Sequence, residues 1–430
     1  MSKTIIIIGA GLAGLSAALQ AAENGCNVKL VSSLPSERAQ SVMAEGGINA
    51  ALNTKDENDS PEEHFTDTIK AACGLADPNA VWGMTQAAPE LVHWLLKLGV
   101  KFNMSGYDDV DLRNFGGQKK KRTAFAQSDT GKQIMTAMID AVRRKEASGM
   151  VERFSHHSFL TLRLCGNICC GCVIRDEYSQ EIVELPGNAV IVASGGMHGL
   201  FGNTTGSLSN TGEVTAELFR LGVPLVNGEM IQYHPTTVEC GGKRMLISEA
   251  ARGEGGRLFA LRNNQPWYFM EEKYPELGNL MPRDITAREI WKVSHESEVF
   301  LDMTEISKEV ISNKLSGLAD DGMTYLHKDI RKEPVPVLPG IHYFMGGILV
   351  DEQHRTSIQN LYAAGECCAQ YHGANRLGGN SLLGALYGGR VAAKSACEQA
   401  DGVVLSCAAQ IDIPPASQIS EIKQLNKVMQ

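Results

Sequence analysis

At 430 residues the chain is too long for one simple core, so two domains are expected. Its 43% hydrophobic and 21% charged residues are ordinary for a globular protein, and a net charge of −9 argues against a nucleic-acid binder, which needs a basic face. Eleven cysteines without secretory features suggest reduced thiols in a cytoplasmic protein.

Lys3 is followed by TIIIIGAGLAGLSAAL, an apolar run that breaks at Gln20. It is shorter than the roughly 20 apolar residues of a spanning helix, so it reads as part of the fold and no membrane insertion is expected. Thr4 to Ile8 is a β-branched run suited to a buried parallel strand. Gly9, Gly11 and Gly14 follow in GxGxxG spacing. The first allows the bend, the second lets backbone approach a pyrophosphate, and the third lets helix pack on strand. The helix N-terminus then offers free N–H groups and a positive dipole end to the phosphates. This helix stops at Asn24-Gly25, and a second strand runs from Val28 to Val31. Beyond it stand Ser32 and Ser33, where an acidic residue would normally hold the ribose hydroxyls. A serine can still bond a ribose hydroxyl, without charge.

Lys119-Lys120-Lys121-Arg122 reads as a solvated loop. Cys165, Cys169, Cys170 and Cys172 fall within LCGNICCGCVIRD, a density that raises the question of a metal. The stretch from Phe159 to Val183 alternates with period 2, and Gly166-Asn167 sits where a turn belongs. Along a regular strand Cys170 and Cys172 share one face and Cys169 the other, so the sulfurs would converge only if the strand broke. The spacing matches neither zinc pairs nor the usual iron–sulfur runs, so no metal is expected.

Further strand ends follow at IVASGG (Ile191 to Gly196) and NLYAAGE (Asn360 to Glu366), with NTGE (Asn210 to Glu213) between them. GANRLGGNSLLGALYGGRVAA opens with a glycine-rich loop and continues as a helix expected to be capped by Asn380 or Ser381. Such a helix can aim its N-terminus at the pyrimidine side of a flavin and stabilise the charge that reduction places there. Ala193, Gly195, Glu213, Glu366, Ser381 and Leu382 are therefore candidate flavin contacts.

Seven stretches carry a closer likeness: AEGGINAAL, NFGGQ, QYHPTT, SEAARGEGG, MPRDITARE, PVPVLPGIHYFMGGI and GANRLGGNSLL. In this order, between about Ile5 and Arg390, they resemble the flavoprotein subunit of succinate dehydrogenase and fumarate reductase, with L-aspartate oxidase as a near relative. The resemblance implies an α/β fold: a glutathione-reductase-type FAD-binding domain interrupted by an α+β capping domain. Residues 1–225 and 346–405 would form the flavin domain and 226–345 the cap. Family members continue with a helical domain, whereas this chain stops at Gln430 in a stretch that reads as a helix. Residues 406–430 are expected to be the start of that domain, cut short.

A dicarboxylate calls for arginine and for histidine or hydroxyl donors. By resemblance, His234 and Ser248 grip one carboxylate of fumarate or succinate, and His342 with Arg376 the other. Arg283 would deliver the proton, with Glu249 and Arg252 as the relay that returns one to it. Gly46 and Gly47 would meet the flavin. Phe115 stands where L-aspartate oxidase has a glutamate for the substrate ammonium, which points to the succinate/fumarate branch. In membrane-bound members a histidine carries the flavin covalently; Gln40 holds that position here, so FAD is expected to be noncovalent. Loss of the link makes the flavin a weaker oxidant, which disfavours succinate oxidation and leaves fumarate reduction feasible, so fumarate reduction is the expected direction. Electrons would enter from an iron–sulfur subunit or another carrier. L-aspartate oxidation, and a non-catalytic FAD-binding protein, are the two readings left beside this one.

Overall fold

The computed structural model describes residues 2–106 and 109–400. The segment 406–430, with its expected helix, lies outside the described residues.

Thr4–Ile8 is the middle strand of a five-stranded parallel sheet. On one side lie Ala189–Val192 and then Leu361–Ala363, on the other Asn27–Ser32 and then Val151–Ser155. Ile7 pairs in register with both Ile191 and Leu30, and Ile5, Ile6 and Ile7 are wholly buried. A strand covered on both faces wants an unbroken β-branched run, which this one is. Burying each such side chain contributes about 1.5–3 kcal/mol, set against roughly 1–2 kcal/mol per residue of backbone entropy. Helices Leu12–Glu23 and Asn380–Gln399 share the core on one face. Their contact is close: a Cβ on Gly389 would lie 2.3 Å from the Ala13 carbonyl oxygen. The other face is covered by a three-stranded antiparallel sheet, His157–Cys165, Ile168–Asp176 and Ile182–Pro186.

Between the fourth and fifth strands of the parallel sheet in chain order, the chain builds a separate core. Ile231–Cys240 lies antiparallel between Lys243–Leu246 and Leu338–Phe344. A four-stranded sheet and the helix Arg283–Ser294 belong to the same part of the chain. Phe115, from the earlier part, joins this second core. The layout is a parallel-sheet domain interrupted by an inserted α+β unit, as expected.

Three local expectations are corrected. The lysine run is not simply a solvated loop, because Arg122 is fully buried, with Nη2 2.8 Å from Asp59 and Nη1 3.1 Å from Asp67. The helix from Asn380 is capped by Gly379 at φ +85°, not by Asn380 or Ser381. The Asn380 carboxamide is instead held by Asn49, His64 and Thr68. In the cysteine hairpin, Cys169 and Cys172 share the core face. Leu162 pairs with Cys172 but Leu164 with Cys169, so the second strand carries one extra residue and its alternation slips. Cys170 Sγ meets the Arg163 carbonyl at 3.2 Å. No group of His, Cys, Asp or Glu among the described residues is arranged to hold a metal ion.

Candidate active site

A cleft of about 580 Å³ runs from the GxGxxG turn, past the ends of the parallel strands, to the inserted unit. Its first half fits a dinucleotide. Gly9 has φ +113°, and a Cβ there would lie 2.2 Å from the Ala193 carbonyl oxygen. A Cβ on Gly14 would lie 1.9 Å from the Gly9 carbonyl oxygen, so this glycine serves helix-on-strand packing and does not line the cleft. A Cβ on Gly11 would meet nothing closer than Ser41 Oγ at 3.6 Å, and Gly11 lines the cleft. The N-terminus of helix Leu12–Glu23 therefore reaches open space, as a pyrophosphate site requires. Ser32 ends the second strand with its hydroxyl enclosed and without a hydrogen-bond partner in the protein, which suits a ribose hydroxyl. These cradle residues fit FAD.

Gln40, Gly46, Gly47, Ala193, Gly195, Glu213, Ser381 and Leu382 also line the cleft. Glu366 lines it too, but its Oε1 accepts from the Phe344 N–H at 3.0 Å and lies 3.1 Å from His198 Nε2. It ties the strand Leu338–Phe344 to the flavin side. Gly379 reaches the cleft at the start of the 20-residue helix Asn380–Gln399, with its missing side chain leaving room for Asn49 Oδ1.

The other half of the cleft gathers the candidate substrate residues. His234 sits on Ile231–Cys240 and His342 on the neighbouring strand, their rings 5.1 Å apart in an edge arrangement. Ser248 caps the short helix Glu249–Gly253, and Arg376 leaves the glycine-rich loop with its guanidinium 4.5 Å from the Tyr343 ring. His234, Ser248, His342, Arg376 and Phe115 all line this end. Phe115 is nearly fully buried, and Cβ atoms on Gly46 and Gly378 would each press on its ring at 2.9 Å.

Arg283, at the start of helix Arg283–Ser294, donates from Nε to Glu249 Oε2 at 2.7 Å, and its Nη2 lies 2.6 Å from the same oxygen. Its Nη1 donates to Gln232 Oε1 at 3.2 Å. Glu249 Oε1 accepts from the Gly116 N–H at 2.9 Å and lies 3.3 Å from Arg252 Nη2. Arg252 is buried behind Glu249, outside the cleft wall. The result is a buried file, Arg283–Glu249–Arg252, whose first two members line the cleft while the third lies behind them.

Burial sets the charges here. It opposes ionisation of Glu249, but Arg283 and Arg252 outweigh it and hold the carboxyl below the usual range. Burial and the neighbouring arginines push His234 and His342 well below their ordinary values, so both rings are neutral near pH 7. Burial, then Arg283, brings Arg376 down to about 9. The cleft thus offers neutral donors and guanidinium forks, the set that a dianionic ligand needs.

Several contributors carried no sequence signal of their own. Gln232 lies inside a quoted motif, yet only the structure shows it bonded to Arg283 and, through Nε2, to the Arg376 carbonyl at 2.7 Å. Thr205 lies 2.7 Å from His342 Nδ1 across 137 positions of sequence. Glu45 lines the cleft beside the glycines.

A family model described as an FAD binding domain matches residues 4–382. The succinate dehydrogenase flavoprotein subunit of Bacillus subtilis is 43% identical over 410 residues, covering 93% of this chain and 70% of that protein. The 8-methylmenaquinol:fumarate reductase flavoprotein subunit of Wolinella succinogenes is 36% identical over 410 residues, covering 92% of this chain and 65% of that protein. A solved structure of a mutant form of E. coli quinol fumarate reductase FrdA superposes with a TM-score of 0.88 at 30% identity, covering 99% of this chain and 74% of that one. The chain thus spans 65–74% of the length of these relatives. Fold, cradle and matches define a flavin-dependent oxidoreductase with FAD as cofactor. Within that class, the chain belongs to the succinate dehydrogenase and fumarate reductase flavoprotein family. No helix among the described residues is long and apolar enough to cross a membrane.

Proposed function

We propose that this chain interconverts fumarate and succinate, and that fumarate reduction is the favoured direction. The observation that carries the reading is the buried file Arg283–Glu249–Arg252 beside His234, His342 and Arg376 at one end of the cleft. His234 and Ser248 take one carboxylate, and His342 and Arg376 the other. Neutral histidines donate to the carboxylates without adding charge that would have to be buried. Two clamps fix the dicarboxylate by both ends and hold it for reaction, a positioning effect that can supply about 7–11 kcal/mol of a barrier. The bound flavin supplies the hydride for reduction. Arg283 holds the proton to be delivered, and Glu249 passes its replacement inward from Arg252. Burial lowers the proton affinity of Arg252 and so helps it release one.

Three finer proposals accompany this reading. Residues 226–345 act as the cap over a flavin domain formed by 1–225 and 346–405. FAD is held without a covalent link, because a carboxamide stands at Gln40. Electrons arrive from an iron–sulfur subunit or another carrier, in the cytoplasm or at a membrane through that partner. The buried, uncharged Phe115 supports a dicarboxylate without an ammonium group over L-aspartate.

The test is fumarate-dependent oxidation of a reduced viologen by purified, FAD-loaded protein. Turnover with fumarate, and no anaerobic bleaching of the flavin by L-aspartate, is the expected result. An FAD-replete preparation that reduces no fumarate would overturn the proposal, and bleaching by L-aspartate would redirect it to the amino-acid branch.

A further inference from the structure

His342 has a partner on its far side that the clamp alone does not explain. Thr205 Oγ1 lies 2.7 Å from His342 Nδ1, and both side chains border the cleft. Thr205 is itself pinned: its backbone N–H donates to the Ile341 carbonyl at 2.8 Å. The same carbonyl oxygen is within 3.2 Å of the Thr204 hydroxyl and 3.4 Å of the Thr205 hydroxyl.

The direction of the Thr205–His342 bond follows from counting donors. A carbonyl oxygen has two lone pairs. The Thr205 N–H already takes one of them at 2.8 Å, and the single hydrogen of the Thr205 hydroxyl would gain little from the same oxygen at 3.4 Å. The Thr205 hydroxyl hydrogen is better used on Nδ1, at 2.7 Å. A neutral imidazole that accepts at Nδ1 must carry its one hydrogen on Nε2. Burial and the guanidiniums of Arg283 and Arg376 keep the ring neutral, so this hydrogen is the only one it can offer.

We propose that Thr205 is a positioning residue: its hydroxyl donates to His342 Nδ1, fixes the Nε2–H tautomer and thereby makes His342 a donor to a substrate carboxylate. Without that bond the ring could also rest with hydrogen on Nδ1. A bare Nε2 lone pair would then face the carboxylate and repel it. The inference rests on the dicarboxylate reading of the cleft and goes one layer behind it. His198 is held in a parallel manner, with Nδ1 2.8 Å from Thr204 Oγ1 and Nε2 against Glu366, so adjacent threonines orient two histidines.

The experiment compares Thr205→Val, Thr205→Ala and Thr205→Ser with the unaltered FAD-loaded protein. Malonate binding is followed by the change in flavin absorbance, and steady-state fumarate reduction is measured with reduced viologen. Val and Ala remove the hydroxyl with different steric demands, so FAD retention by either keeps the test open. Both should weaken malonate binding and raise KM for fumarate by about 10-fold, the usual size of one lost hydrogen bond. The kcat should fall much less, because Arg283 is untouched. Thr205→Ser keeps the hydroxyl and should restore binding to within about 2-fold. A purely structural role would instead lower FAD content and kcat together and would not be rescued by serine. Unchanged malonate binding and KM in the Val or Ala protein, or loss of binding in the Ser protein, overturns the positioning role alone. Failure of the unaltered protein to bind malonate overturns the dicarboxylate reading, and this inference with it.

Discussion

Arg283 and Arg376 are both buried guanidiniums at the same end of the cleft, yet their surroundings assign them different work. Arg283 uses Nε and Nη2 on Glu249 and Nη1 on Gln232, three bonds that only a planar fork can make together. Arg283→Lys keeps the charge and loses that geometry. A displacement of about 1 Å at a reacting centre can cost about 100-fold, so kcat for fumarate should fall at least that far. Malonate binding should change much less. Arg376→Lys should do the reverse in part, weakening malonate through loss of a two-pronged carboxylate contact. Steady-state kinetics and malonate titration on both variants decide the matter. Substantial turnover by Arg283→Lys would move the proton donor to His234 or His342. Glu45 makes a separate prediction. Burial first, then Asp321 and Asp129 against the pull of Arg113, raises its carboxyl to about 8. The folded chain therefore keeps a proton that the unfolded chain loses near 4.5. That contribution to stability is complete below the unfolded value and is lost as pH rises through about 8. Glu45→Gln keeps the neutral shape, so it should raise Tm at about pH 9 and leave it nearly unchanged at about pH 5. Equal shifts at both pH values would exclude titration of Glu45 as the cause.

At the scale of elements, legibility followed the range of the interaction that decided each one. The strand Thr4–Ile8 and the helix after it were readable because hydrophobic run, glycine spacing and cap all lie within about twenty residues. The cysteine hairpin was readable as sheet for the same reason. The faces of its cysteines were not, since the slip depends on how Leu162 and Leu164 pair across the ladder. Gly379 took the cap because Asn380 was already engaged by Asn49, His64 and Thr68, partners more than 300 positions away. At the site, motif likeness pointed to residues most of which line one cleft, but it was silent on Thr205 and on the bonds of Gln232, which matter only through contacts. Arg122 shows the same limit most sharply. Four consecutive basic residues suggest solvent, and only the fold brings Asp59 and Asp67 to the last of them. Removing one partner from a buried ion group strands the others, at a cost of about 3–5 kcal/mol. Arg122→Ala should lower unfolding stability by that amount in a denaturant titration. Asp59→Asn should cost less, since Asp67 still balances the charge. A loss below about 1 kcal/mol for Arg122→Ala would mean that the cluster behaves as a surface pair.

For the whole molecule, the cofactor is a structural member as well as a chemical one. The cleft passes between the parallel sheet and the inserted unit, so a ligand filling it touches both cores. A group bound only by contacts stabilises the native state by mass action, by about 2.7 kcal/mol when its free concentration is 100 times Kd. A covalently attached group cannot respond in this way, because it stays with the chain in both states. Gln40 begins a short helical turn on the cleft wall and presents a carboxamide, which has no nucleophilic nitrogen to form such a link. Two consequences follow. The Tm of the FAD-loaded protein should climb steadily with added free FAD. Acid precipitation should leave the yellow, fluorescent flavin in the supernatant and a colourless pellet. The two measurements are independent, since one reads an equilibrium and the other a bond. A Tm indifferent to FAD together with a fluorescent pellet would show that another side chain carries the flavin. The redox argument favouring fumarate reduction would then lose its basis, while the dicarboxylate clamp and the proton file would stand unaltered.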